Sequence, residues 1–342
     1  MKAIGYLESQ AITEQDSLVD IDLPMPVAAG RDLLVKVNAI SVNPVDTKVR
    51  QRAQPENGEY KVLGWDAVGE VVAVGEQVEF YQPGDRVWYA GDLTRQGTNS
   101  EFHLVDERIV GQAPKSLSDA EAAAMPLTTI TAWELLFDRL GLKQKSANGV
   151  ASKPEQVLVI GAAGGVGSII VQLAAKLTDA VVIGTASREE SQQWVKERGA
   201  DFVIDHRQPL NEELKRIGFD TVSHVVSLNA TDQHFAAIVE SIAPQGKLAL
   251  IDDPQIPLDI MQLKMKSVSL HWEFMYTRSM FNTDDMAKQR DLLNAVAELI
   301  DAGEIKTTQG TNFGAINATN LKLAHAAVES GSTIGKVVLE GF

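Results

Sequence analysis

Over the first 125 residues apolar positions come in short runs, many of them alternating with polar ones, and turn residues break them up. Residues 33–37 (Leu-Leu-Val-Lys-Val) and 68–74 (Val-Gly-Glu-Val-Val-Ala-Val) fit strands, and Pro83-Gly84-Asp85 is a turn feeding a strand at 86–89. Ser118 followed by Glu121 predicts a capped helix running through Ala124. Near residue 155 the pattern changes. Strands at 156–160, 180–183, 201–204, 222–227 and 247–251 alternate with helices at 168–177, 188–198, 210–217 and 231–242. Such alternation predicts a parallel sheet with right-handed crossovers. A sixth strand is predicted at 268–272. After it comes an amphipathic helix over 286–302, with Leu292, Leu293, Val296, Leu299 and Ile300 on one face and Gly303 as its stop. A helix over 320–330 starts at a capping Asn320. A last strand, 336–339, is expected to pair back with the first domain. The chain therefore reads as a discontinuous first domain, 1–127 and 275–342, with an inserted domain at 128–274. The polar stretch 143–154 reads as a surface excursion.

The chain has 342 residues, of which 44% are hydrophobic, so each of two domains can bury its own core. No apolar run approaches the roughly 18 residues of a membrane span. The N-terminal residues lack a secretory pattern, so a cytoplasmic location is expected. There is no cysteine, which excludes disulfides, thiolate catalysis and any zinc site that needs a Cys ligand. The formal net charge is −15. A surface this acidic repels nucleic-acid backbones and keeps the chain soluble, although a local basic pocket for a phosphate-bearing cofactor is compatible with it.

One loop carries more specific chemistry. Gly161-Ala162-Ala163-Gly164-Gly165-Val166-Gly167 leaves a strand and opens a helix. Gly161 permits the tight exit. Gly164 and Gly165 let the backbone approach a pyrophosphate, and Gly167 lets the helix pack on the strand. Unpaired N–H groups at the helix start favour anions. Dinucleotide binding follows. A site built for NAD usually ends its second strand on an Asp or Glu that binds the ribose 2′-hydroxyl. Here the strand runs into Gly184-Thr185-Ala186-Ser187-Arg188 with no acid before Glu189. A hydroxyl and a guanidinium suit a 2′-phosphate, so NADPH is the expected cofactor. The alternative is a helix cap at Ser187 beside a solvated Arg188.

Several segments, in this order, carry a family resemblance: Ser41-Val42-Asn43-Pro44-Val45-Asp46, Leu63-Gly64-Trp65-Asp66-Ala67-Val68-Gly69, Pro83-Gly84-Asp85-Arg86-Val87, Pro126-Leu127-Thr128-Thr129-Ile130-Thr131-Ala132-Trp133, and the glycine loop. Over nearly its whole length the chain resembles the medium-chain dehydrogenase/reductase superfamily. It is similar in particular to the zinc-free quinone oxidoreductases and zeta-crystallin-like proteins, within a subgroup often labelled zinc-binding alcohol dehydrogenase-like. The resemblance implies an α/β fold, with a GroES-like, mainly-β catalytic domain and a doubly wound Rossmann domain for the dinucleotide. Zinc members carry Cys where this chain has Asn43, His where it has Trp65, and a third ligand near Leu127. The four-Cys lobe is absent. Asp205-His206 and Asp232 with His234 are the nearest approaches to a ligand cluster, and no metal site is expected.

Without zinc, simple alcohol oxidation is disfavoured, because no Lewis acid polarises the oxygen. Quinones and α,β-unsaturated carbonyls are electron-poor, and conjugation spreads the arriving charge. Positioning then carries much of the catalysis. The resemblance implies roles for particular residues. Asn43 would lie beside nicotinamide and substrate, unless it is only a turn residue before Pro44. Asp46 is a structural acid or a catalytic one. Tyr60 is a candidate proton donor, and Trp65 a cleft wall or a core residue. Thr131 would contact the nicotinamide ribose or carboxamide. Ser227 with Leu228, and Ile251, end strands facing the cofactor, and His206 would lie near the adenine or in an exposed turn. Phe274 and Tyr276 would close over the nicotinamide or pack in a core or interface. Lys336 would reach a phosphate or stay at the surface. A homodimer is implied, joined at the 267–274 edge. The expected activity is NADPH-dependent reduction of quinones or enones. The alternatives are a non-catalytic, crystallin-like NADPH-binding protein and an RNA-binding protein.

Overall fold

The computed structural model describes residues 1–55, 58–145 and 154–342. The chain divides into two compact units, Met1–Ile130 with Tyr276–Phe342, and Thr131–Met275. The predicted excursion at 143–154 lies, apart from its ends, outside the described residues. No helix among the described residues is long and apolar enough to cross a membrane.

The first unit is organised by the 11-residue strand Asp32–Val42. The strand is longer than the apolar run at 33–37 suggests, because burial continues through Ala39, Ile40, Ser41 and Val42. It pairs antiparallel with Asp66–Val74, placing Ser41 opposite Asp66. On its other side it pairs with Phe102–Asp106 at its start and with the C-terminal strand Lys336–Glu340 at its end, where Val337 faces Val42. The predicted return of the last strand is therefore real, and it sets Lys336 beside the end of the long strand. Asn43 follows as N-cap of the helix Pro44–Arg52, with Pro44 at its first position, where no N–H is needed. The helix Ala318–Glu329 is capped by Asn317, whose side chain accepts the N–H of Asn320 at 2.9 Å. The sequence pattern had pointed to Asn320 as the cap. It lies one turn inside, because a cap side chain bonds the N–H three residues on.

The second unit holds a six-stranded parallel sheet in the order Phe202–Ile204, Val181–Thr185, Gln156–Ile160, Val222–Ser227, Ile242–Leu250, Ser269–Trp272. In order along the chain this is 3-2-1-4-5-6, the doubly wound arrangement that the resemblance implies. Leu158, Ile160, Ile183, Val225, Leu248 and Leu250 form the centre of its core, with Leu214, Phe235 and Ile238 packed on them from the helices. Strands buried on both faces read as continuous apolar runs, which is why the sequence showed them clearly. In such sheets ligands bind outside the carboxyl ends of the strands, where the order reverses. Here that point lies between Gln156–Ile160 and Val222–Ser227.

Candidate active site

In the first unit, two of the three positions where the family resemblance puts zinc ligands, Asn43 and Leu127, bond one carboxylate, that of Asp66, the chain neighbour of the third, Trp65. Asp66 is fully buried and accepts four hydrogen bonds. They come from Ser41 Oγ (2.6 Å), Asn43 Nδ2 (2.8 Å), Lys336 Nζ (3.1 Å) and the backbone N–H of Leu127 (2.7 Å). The last is an N–H of the first turn of the helix Pro126–Trp133, which has no partner within its own helix. The Lys336 ammonium also donates to Asn43 Oδ1 and to the Val42 carbonyl (3.3 Å). Lys336 is buried, and these partners account for its three N–H groups. The ammonium assigned to a phosphate on sequence grounds is thus committed to a carboxylate within its own unit.

Asp46, at the third position of its helix, accepts the Asn43 N–H at 2.7 Å. Burial pushes its pKa up to about 7, against the opposing pull of that bond and of Lys336. Trp65 is buried, donates to the Asp92 carbonyl at 3.2 Å, and meets Tyr276 edge-on at 6.0 Å between ring centroids. Burial, reinforced by Asp46, Asp66 and Asp92, holds the Tyr276 phenol well above its ordinary range. Tyr60 is exposed, just before the strand Lys61–Val62. Zinc does not fit this cluster. An amide, an indole and an alkyl chain stand at the ligand positions, and the nearest carboxylate is saturated by four donors, one of them an ammonium. Among the described residues no group of three His, Cys, Asp or Glu is placed to hold a metal.

In the second unit the predicted cofactor residues other than Asn43, Thr131, Phe274, Tyr276 and Lys336 gather at the carboxyl edge of the sheet. Gly161 has φ +86° and donates its N–H to Thr185 Oγ1 at 3.1 Å, tying the first strand's exit to the end of the second. A Cβ on Gly167 would stand 2.4 Å from the Gly161 carbonyl, so only glycine lets the loop close on the helix. At Gly164 the nearest atom to such a Cβ is 3.5 Å away, leaving room above the backbone. Gly164 caps the helix Gly165–Leu177, whose first turn includes Gly165, Val166 and Gly167 and presents its N–H groups there. Ser227 is buried and bonds Thr231 Oγ1 at 2.8 Å. Thr231 donates its backbone N–H (2.9 Å) and its hydroxyl (2.5 Å) to Asp252. This network joins the ends of the fourth and fifth strands and leaves Leu228 and Ile251 half-buried beside it.

At the ends of the second and third strands, Ser187 is half-buried and Arg188 is the exposed N-cap of the helix Glu189–Glu197. His206 is half-buried, with its ring edge-on to His234 at 6.1 Å. Burial lowers the pKa of both rings. Thr131 is buried in the helix Pro126–Trp133, and Phe274 is exposed just after the last strand of the sheet.

Sequence reading missed Asp66 as the hub, Asn229 over Gly161, the Thr231–Asp252 brace and Arg207 beside Ser187. Asn229 Oδ1 lies 2.7 Å from the position of a Cβ on Gly161. Asp66 sits next to Trp65 in a quoted motif, and that adjacency was the available signal.

Comparison with known proteins agrees with this anatomy. Residues 29–116 match the model of the alcohol dehydrogenase GroES-like domain, and residues 198–339 match that of the zinc-binding dehydrogenase domain. A zinc-type alcohol dehydrogenase-like protein of Staphylococcus epidermidis is 38% identical over 339 residues, 99% of each chain. The mitochondrial NAD(P)H oxidoreductase RTN4IP1 of Homo sapiens is 30% identical, over 90% of this chain and 81% of its own. A Rhizobium etli CFN 42 protein, provisionally described as a zinc-dependent alcohol dehydrogenase, superposes with a TM-score of 0.95 at 54% identity, covering 100% of this chain and 98% of its own. Escherichia coli quinone oxidoreductase, solved with NADPH, gives 0.81 at 25% identity, covering 99% and 100%. The chain belongs to the medium-chain dehydrogenase/reductase superfamily, and within it fits the zinc-free, quinone-oxidoreductase-like group.

Proposed function

We propose that this protein is an NADPH-dependent reductase of quinones or α,β-unsaturated carbonyl compounds that works without zinc. One observation carries the reading: the positions that hold zinc in relatives are filled by Asn43, Trp65 and Leu127, and the Asp66 carboxylate beside them is already saturated by Ser41, Asn43, Lys336 and a helix N–H. With no Lewis acid there, the acceptor must itself be electron-poor. The structure of the E. coli quinone oxidoreductase with NADPH supports the same reading.

The second unit fits a dinucleotide. Gly161 and Gly167 shape the loop, Gly164 leaves the backbone open, and the helix start offers N–H donors to a pyrophosphate. Ser187 and Arg188, in place of an acid, suit a 2′-phosphate. When bound, NADPH supplies the hydride. Thr131, Leu228, Ile251 and Phe274 would position and cover the nicotinamide. In the first unit, Asn43 and Trp65 would face the acceptor. Asp46, with its pKa near neutrality, would hold the proton that reduction consumes. Lys336 and Asp66 fix the Asn43 amide. The protein would work as a homodimer joined through the edge strand Ser269–Trp272.

The test is NADPH oxidation against a panel of quinones, enones, aldehydes and alcohols. Turnover confined to quinones and enones is expected. Turnover with alcohols and aldehydes alone would contradict the reading, and tight NADPH binding without turnover would favour a non-catalytic role.

A further inference from the structure

The second and third strands of the parallel sheet end side by side, with Thr185 opposite Ile204. Each runs into a short loop carrying one arginine, Arg188 after the second strand and Arg207 after the third. The Arg207 side chain is 62% exposed, yet its guanidinium is anchored. Nε donates to Asp205 Oδ1 at 3.0 Å and Nη2 to Asp205 Oδ2 at 2.6 Å. Nη2 also donates to the Ser187 carbonyl at 2.8 Å. That carbonyl belongs to the peptide bond between Ser187 and Arg188, so both arginines attach to one point of the backbone.

Counting donors shows what the anchor leaves over. A guanidinium has five N–H groups. Asp205 and Ser187 take three of them, and the two on Nη1 have no partner among the described residues. An exposed arginine normally keeps most of its rotamer freedom and loses it on binding a ligand. This one is held before any ligand arrives, which lowers the entropic cost of capture. Arg207 keeps the Asp205 carboxyl below its ordinary range, so the clamp stays charged at neutral pH. An exposed ion pair of this kind adds little to fold stability. Its geometry matters for what the remaining donors face.

We propose that Arg207, clamped by Asp205 and the Ser187 carbonyl, selects the 2′-phosphate of NADPH over the 2′-hydroxyl of NADH, with Arg188 as the second contact. This rests on the NADPH reading above and adds to it a specificity residue outside the Ser187-Arg188 signal. In a chain of net charge −15, Arg188 is followed directly by Glu189 and Glu190. The Arg207–Asp205 pair adds no net charge beside them, so what the neighbouring loop offers a phosphate is the fixed pair of Nη1 donors.

The test is fluorescence titration of NADPH, NADH and 2′,5′-ADP against wild-type protein, Arg207→Ala, Arg188→Ala and a control in the first unit, Arg108→Ala. Arg108 is likewise clamped by an acid two residues before it, Asp106. Wild type is expected to prefer NADPH by about tenfold or more, the scale of a charge-assisted bond. Arg207→Ala should lose about tenfold or more in affinity for NADPH and 2′,5′-ADP and leave NADH unchanged. Arg108→Ala should match wild type for all three. Equal binding of NADPH and NADH by wild type would overturn the NADPH reading itself. A wild type that discriminates, with discrimination intact in Arg207→Ala or lost equally in Arg108→Ala, would overturn the assignment to Arg207 alone.

Discussion

Asp46 is fully buried, so its ionisation is tied to folding. The folded protein holds its proton up to about pH 7, whereas an unfolded carboxyl releases it near pH 3.9. The stability this contributes is complete below about pH 4 and is lost as pH rises through about 7, with a slope of at most about 1.4 kcal/mol per unit. We expect urea midpoints to fall between pH 4.5 and 7.5 in wild type and to change less in Asp46→Asn. Equal slopes would refute the placement. Lys336 gives a second residue-scale prediction. Removing one partner of a buried ion pair costs about 3–5 kcal/mol. Lys336→Met should therefore destabilise by roughly that range, and adding Asp66→Asn to it should recover part of the loss. Additive losses in a denaturation cycle would show that the two residues do not interact. Asp46 stood out in the sequence as a candidate acid, but the network around Asp66 was not legible there. The donors to Asp66 come from positions 41, 43, 127 and 336, and only strand pairing and a helix start bring them together.

At the scale of elements, the sequence was most informative where one segment carries its own signal. The buried parallel strands, the glycine loop and the capping box at Ser118 can be read from neighbouring residues, and the structure has them. It was less informative where two segments must be compared. Arg207 lies beside Ser187 only because the second and third strands pair in one particular register. The same loop supports a paired prediction. Gly167→Ala would force a Cβ to within 2.4 Å of the Gly161 carbonyl, so the helix must move away from the strand. Overpacking of this kind typically costs about 1–3 kcal/mol. Gly164→Ala meets nothing closer than 3.5 Å and should leave the melting temperature almost unchanged, yet its methyl would occupy the space a pyrophosphate needs. Thermal melts and nucleotide titrations on the two variants should separate stability from binding. Equal melting losses in both would contradict this account of the loop.

For the whole molecule, the edge strand Ser269–Trp272 pairs, among the described residues, on one side only, with Ile242–Leu250. Nearby Met261, Met265 and Trp272 are exposed at 64%, 92% and 54%. An open edge with exposed apolar side chains calls for a cover, and in the proposed homodimer a second copy would provide one by extending the sheet across a two-fold axis. Light scattering is expected to give twice the chain mass at micromolar concentration, and Trp272→Glu should shift it toward the monomer. A monomeric wild type would contradict the dimer. The function proposed for the whole molecule is that this member of a family with zinc-dependent relatives reduces electron-poor acceptors with NADPH and no metal. It is tested most directly by the steady-state rate of NADPH oxidation with a quinone acceptor, using protein dialysed against chelator and then supplied, or not, with zinc. The predicted result is full turnover after chelation, with no gain from zinc and at least about a tenfold preference for NADPH over NADH in kcat/KM. Turnover lost on chelation and restored by zinc would contradict it.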